Sequence, residues 1–178
     1  MSKENGYGKH QTQKLFARDC ILCHNKKGGK HMQIEYLKIC RFKSIICLEI
    51  EDISQALILV GQNSTGKTTV LDAIRAVGGD YRIVPEDFDE SGANIEITVR
   101  LSLCEEDLKR LQKRGKVSSY RRWDSFLADV KKKLPSFDGE TLTFTYIVNR
   151  DSRQRFDDGF KKNNPYIRDV FPTIYYID

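Results

Sequence analysis

The segment Gly61-Gln62-Asn63-Ser64-Thr65-Gly66-Lys67-Thr68 sets two glycines five positions apart, with Lys and Thr directly after the second. It follows an apolar run, Ala56-Leu57-Ile58-Leu59-Val60, and precedes a stretch in which Val70, Leu71, Ile74 and Val77 recur at helical spacing up to Gly78-Gly79. A continuous apolar run of this length predicts a strand covered on both faces, as in a parallel sheet. The periodic stretch predicts a helix with a glycine stop. Strand, glycine loop and helix in this order make a phosphate cradle. Gly61 and Gly66 permit backbone angles and close approach that a Cβ would block, so the amides through Asn63, Ser64 and Thr65 turn inward at the positive end of the helix. Lys67 then brings an ammonium to the β- and γ-phosphates, Thr68 ligates Mg²⁺, and Thr69 adds a phosphate hydrogen bond. The predicted ligand is a nucleoside triphosphate with Mg²⁺.

Elsewhere the pattern is that of an α/β domain. Ile95, Ile97, Val99, Leu101 and Leu103 alternate with polar residues, the mark of a half-buried strand, and Thr141 to Val148 reads as another. From Lys109 to Lys133 there are ten basic residues against Asp124 and Asp129, while Leu108, Leu111, Trp123, Phe126, Leu127 and Val130 recur at helical intervals. Two short amphipathic helices broken near Gly115 are predicted. Their basic face, Arg121 and Arg122 included, is either a solvated surface opposite a core stripe or a patch for DNA phosphates. Glu86, Asp87, Asp89 and Glu90 follow Pro85 in what reads as a solvated turn, and Asp151 to Asn164 reads as a charged loop.

The stretch Leu37-Lys38-Ile39-Cys40-Arg41-Phe42-Lys43-Ser44-Ile45, then Leu48-Glu49-Ile50, the glycine loop with Asn63 at its third position, and Val70-Leu71-Asp72-Ala73-Ile74 together resemble the N-terminal lobe of ABC-type ATPases of the RecF, SMC and OLD kind. The resemblance covers about residues 32 to 80 strongly and the remainder weakly. It implies a P-loop NTPase fold with a mixed sheet and added helices, ATP as the nucleotide, an antiparallel pair of strands beside it, and DNA repair or phage defence as the setting. On that model Arg41 and Lys43 are candidate secondary nucleotide contacts, and Phe42 is equally a core residue. Phe171 to Asp178 resembles a buried strand of the same lobe.

The resemblance also defines what these 178 residues lack. An ABC-type site takes a Leu-Ser-Gly-Gly-like signature, a Walker B strand ending in Asp-Glu and a switch His from a C-terminal lobe, with the signature contributed by a second subunit. Ile174-Tyr175-Tyr176-Ile177-Asp178 imitates a Walker B strand without the following Glu, and Gln154 is a candidate Q-loop glutamine with no register to support it. Phosphate cradling alone gives little hydrolysis. The expectation is an ATP-binding lobe that dimerises around ATP or joins a C-terminal lobe, with no nuclease carboxylates of its own. The alternative is a non-catalytic nucleotide-binding module or truncated product that partners a full-length relative. A small nucleoside kinase is disfavoured by the strands that precede the loop.

The charge is uneven: residues 1–31 carry a net of +5 and residues 32–178 a net of zero. The first segment reads as a disordered basic leader. It is also a candidate for untranslated sequence, since Lys27 to His31 is encodable by a purine-rich ribosome-binding run ahead of an ATG at Met32. Residues 32–178 form the expected lobe. Five cysteines, an odd number, suggest reduced thiols, with Cys40, Cys47 and Cys104 as small hydrophobes. Cys20, Cys23, His24 and His31 are a weak zinc arrangement lacking a second pair. No apolar stretch approaches twenty residues, so no membrane span and a cytoplasmic location are expected.

Overall fold

Period-two alternation in the middle of the chain becomes the centre of a sheet. The computed structural model describes residues 13–14, 32–54, 57, 59 and 66–171. Six strands run in the order β1-β3-β2-β4-β5-β6. They are β1 (Gln13–Lys14), β2 (Gln33–Phe42), β3 (Ile45–Ile50), β4 (Ile95–Ser102), β5 (Thr141–Val148) and β6 (Gln154–Asp157). Only β1 with β3 is parallel; the other pairings are antiparallel. The sheet is thus mixed, but its character is antiparallel. The parallel strand expected at Ala56 to Val60 is absent from the described part of that run: Leu57 and Leu59 lie outside any strand and pack half-buried against the core. The rest of the run lies outside the described residues.

Register explains why one face closes. Leu37 and Ile39 pair with Val99 and Ile97, these with Phe144 and Tyr146, and Tyr146 with Phe156. Successive side chains alternate across a sheet, so all seven share a face, and all are buried. On the other face a row of Glu49, Lys38, Thr98, Thr145 and Asp157 stays half-exposed. Within it Lys38 pairs with Glu49 at 3.4 Å, and the Thr98 and Thr145 hydroxyls are 2.9 Å apart.

Helices supply the second layer. α1 (Lys67–Gly78) buries Val70, Ala73, Ile74 and Val77, α2 (Glu105–Lys113) Leu108 and Leu111, α3 (Trp123–Lys133) Phe126 and Val130, and α4 (Tyr166–Val170) Ile167 and Val170. These side chains join the strand residues in one core. α1 stops at the glycines as predicted: Gly79 takes φ 91°, and the Asp80 amide donates back to the Arg75 carbonyl at 2.9 Å. The two amphipathic helices predicted on either side of Gly115, which has φ 68°, are α2 and α3.

Residues 151–164 depart from the loop expectation. Gln154–Asp157 is the edge strand β6, and Asn164 is wholly buried. Its side-chain amide donates to Asp158 Oδ2 at 2.7 Å and to the Lys133 carbonyl at 2.8 Å, closing the C-terminus of α3. An edge strand pairs on one side and faces water on the other, so it carries little apolar signal; here Phe156 is its single anchor. The terminal strand expected from Phe171 lies outside the described residues apart from Phe171 itself, which is buried and caps α4.

Phe144 is the pivot of the core, with Phe156 and Phe171 at 5.9 and 6.1 Å in edge-to-face geometry. Phe144→Ala is expected to lower the unfolding free energy by roughly 3–5 kcal/mol. Urea denaturation reads this directly; a loss below about 1 kcal/mol would place the packing centre elsewhere.

Candidate nucleotide-binding site

The described site begins at Gly66. It is the N-cap of α1 with φ 86° and ψ 8°, a left-handed conformation that suits glycine, and its carbonyl accepts the first helical hydrogen bond from Val70 at 3.1 Å. Lys67 is the first helical residue and half-buried, Thr68 is exposed, and Thr69 is buried at 9% exposure. No acidic residue occupies the first turn and no side chain caps it. The positive end of the helix macrodipole therefore meets no internal carboxylate there, a setting that favours an external anion. Gly61, Asn63, Ser64 and Thr65 lie outside the described residues. The residues present suit a Mg²⁺–triphosphate: cation, hydroxyl and helix amides come together at one end, and the first turn of α1 holds no acid.

The β2–β3 hairpin lies against this end. A Cβ added to Gly66 would sit 4.0 Å from Ile45 Cγ1, so the antiparallel pair lies beside the start of α1. Arg41 and Lys43 at its tip both have left-handed backbones, φ 57° and 52°, unusual for non-glycine residues. Phe42 between them is fully buried and meets Tyr81 edge-on at 6.0 Å, which makes it core.

Lys43 is directed inward by charge. Its Nζ donates to Asp72 Oδ2 at 2.7 Å, lies 3.8 Å from Asp87 Oδ1 and 4.6 Å from the Tyr81 ring centroid. Its backbone N–H donates to the Asp87 carbonyl at 2.8 Å. Asp72, on the second turn of α1, is also approached by Arg75 Nη1 at 3.4 Å. Arg41 donates to the Asn94 carbonyl at 3.1 Å and lies 3.7 Å from Glu96. Both candidate secondary contacts thus hold protein partners: Lys43 braces the phosphate-loop helix, and Arg41 ties the hairpin to the strand beyond it.

Asp87 corrects the solvated-turn reading. It is 4% exposed, accepts from the Val84 amide at 2.9 Å and from the Tyr81 hydroxyl at 3.0 Å, and closes the 3₁₀ turn Pro85–Asp87. The four-acid run gave no hint of this, because the cation that compensates Asp87 is more than forty positions away in sequence. Asp89 does behave as a surface turn, accepting from Ser91. No group of three metal-ligating side chains occurs among the described residues. The zinc candidates Cys20, Cys23, His24 and His31 lie outside them.

Burial opposes the charge on Lys43, yet Asp72 and Tyr81 outweigh it and hold the pKa above the ordinary 10.5. Burial likewise pushes the Tyr81 hydroxyl up. Cys40 and Cys47 face each other across β2 and β3; burial raises the Cys40 thiol to about 12, while Cys47 is exposed and so departs from the small-hydrophobe expectation.

The remaining site candidates scatter. Gln154 sits on β6 rather than in a loop, its Oε1 accepting from Arg168 at 3.2 Å. Arg121 and Arg122 lie on the exposed connection before α3, far along the chain from Gly66.

Lys43→Met removes the cation between two buried carboxylates. Because the ammonium keeps some solvent contact, the expected loss lies near or below the low end of the roughly 3–5 kcal/mol seen for breaking a buried pair. A raised lysine pKa contributes fully below pH 10.5 and is lost as pH climbs through the folded value, so the gap between variant and wild type should narrow only on the alkaline side. Urea unfolding across that range checks both; a constant gap would show that packing, not charge, carries the contact.

No protein-family model and no curated protein matches the sequence. Among solved structures the chain is similar to one described under ATP-driven dimerization and DNA-stimulated activation of SMC ATPases, at 16% identity and TM-score 0.46 over 78% of this chain and 75% of that one. It is similar also to the Smc head domain with an extended coiled coil bound to the C-terminal domain of ScpA from Pyrococcus furiosus, at 16% identity and TM-score 0.47 over 79% of this chain. The match spans 32% of that second chain's length. At this level the likeness assigns no residue a role.

Proposed function

We propose that this chain is the ATP-binding N-terminal lobe of a DNA-directed ABC-type ATPase, OLD-like in kind, serving DNA repair or phage defence. The observation that carries the reading is the loop from Gly61 to Thr68, which satisfies every fixed position of the phosphate-binding pattern and runs into a helix whose first turn is free of acids. Backbone amides of the loop and of the first turn of α1 take the phosphate oxygens. Lys67 reaches the β- and γ-phosphates, Thr68 holds Mg²⁺, and Thr69, being buried, steadies the turn or bonds phosphate from within. Mg²⁺ held by Thr68 would offset the charge on the phosphates.

Asp72 belongs to this lobe as a brace. With Lys43 and Arg75 upon it, the carboxylate is compensated by cations of the lobe itself. Turnover is assigned to an assembly in which a C-terminal lobe and a second subunit complete the site around ATP.

Titration calorimetry of the full chain with Mg²⁺–ATP tests this. Binding is expected for the wild type and none for Lys67→Ala, with phosphate release at background for both. Absence of heat with any purine triphosphate would overturn nucleotide binding. Steady-state hydrolysis by the wild type alone would overturn the incomplete-site reading.

A further inference from the structure

The connection between α2 and α3, together with the first residue of α3, carries two aromatic side chains that the core does not take. Its near end is anchored: Val117 is buried, and the Ser118 amide faces Asp129 Oδ2 at 3.4 Å. Beyond that, Tyr120 is 41% and Trp123 38% exposed, with Arg121 and Arg122 between them. The other exposed large hydrophobics among the described residues, Ile46, Val84 and Phe160, stand singly in different parts of the chain. Trp123 stacks on Phe126 with centroids 4.9 Å apart and planes at 26°, so α3 fixes the orientation of its ring. Lys109 Nζ stands 5.9 Å from the Trp123 centroid.

The cations here are weakly compensated. Arg122 meets Asp124 at 3.5 Å, but both side chains are more than four-fifths exposed, a geometry of small energetic value. Tyr120 and Arg121 have no hydrogen-bond, ion-pair or ring partner among the described residues.

Partly exposed aromatic rings beside weakly compensated guanidinium groups are what unpaired nucleobases require, since rings stack on bases while cations take phosphates. A duplex keeps its bases stacked on one another and would use the cations alone. A bilayer surface would need apolar side chains to insert, but Leu108, Leu111, Phe126 and Val130 of these two helices are spent in the core. We infer that residues 120–123 form a platform for single-stranded nucleic acid, Tyr120 and Trp123 stacking on bases and Arg121 and Arg122 engaging phosphates. The inference rests on the DNA-directed part of the reading proposed above and is independent of nucleotide binding.

Trp123 is the single tryptophan of the chain, so its emission reports on the platform directly. The full chain, without nucleotide, is titrated with oligo-dT and with a blunt duplex of equal length. Oligo-dT is expected to quench the emission and to bind about tenfold more tightly than the duplex. Tyr120→Ala should weaken oligo-dT binding by about tenfold while leaving duplex binding and the melting curve unchanged. The Arg121→Glu, Arg122→Glu pair should reduce the salt slope by about 1 to 2. Equal affinities with unchanged emission would overturn the single-strand inference and leave DNA binding standing. No binding to either form would overturn both. A blue shift on anionic phosphatidylglycerol vesicles without quenching by oligo-dT would reassign the segment to a membrane surface and overturn the inference as well.

Discussion

One ammonium group holds three pieces of backbone together beside the start of α1. Lys43 projects from the tip of the β2–β3 hairpin between Asp72 of α1 and Asp87 of the turn after it, and its own amide bonds the Asp87 carbonyl. Without that cation the two buried carboxylates would repel each other, with Arg75 left as the cation on Asp72 and only neutral donors on Asp87. The left-handed backbone at Arg41 and Lys43 is kept by these contacts, because a strained tip persists only where its surroundings over-determine it. The start of α1 is thereby fixed to the sheet.

The sheet provides the rigid side of that joint. Its apolar face is continuous from Ile50 on β3 to Phe156 on β6 and lies under four helices, while the other face keeps a polar ladder. Since α1 is packed on this face through Val70, Ala73, Ile74 and Val77, displacement of its N-terminus would disturb core and clamp together. By contrast, the connection between α2 and α3 is tied down in its first half, where Arg114 and Lys116 reach Asp169 and Val117 is buried, while Tyr120, Arg121 and Arg122 are left to the solvent. The start of α1 is thus held by core and clamp together, whereas residues 120–122 are exposed.

Much of this was legible in the amino-acid pattern because the signals were local. Alternation along β4 and β5, the apolar period of α1 and its glycine stop, and the break between α2 and α3 each follow from neighbours within one or two turns. What escaped was set by distant partners. Asp87 looked like one acid among four, yet it is buried by Tyr81 and Lys43; Asn164 looked like loop, yet it closes α3 from beneath. The apolar run before the glycine loop read as a parallel strand, while Leu57 and Leu59 pack against the core without strand pairing. Arg41 and Lys43 were legible as residues near the nucleotide end, but not as groups already committed to protein carboxylates and carbonyls.

The sequence by itself determined the chemistry on offer: two glycines, a lysine and a threonine at spacings that admit a triphosphate, and strands whose every second residue seeks a core. Such demands arise from backbone geometry and side-chain period, which a chain carries in its local order. Only the tertiary structure decided which charges are compensated and which remain available. The field at an ammonium or a carboxylate depends on groups brought within a few ångströms by folding, whatever their separation along the chain. Hence Lys43 became a clamp, while Arg121 remained a free cation at the surface.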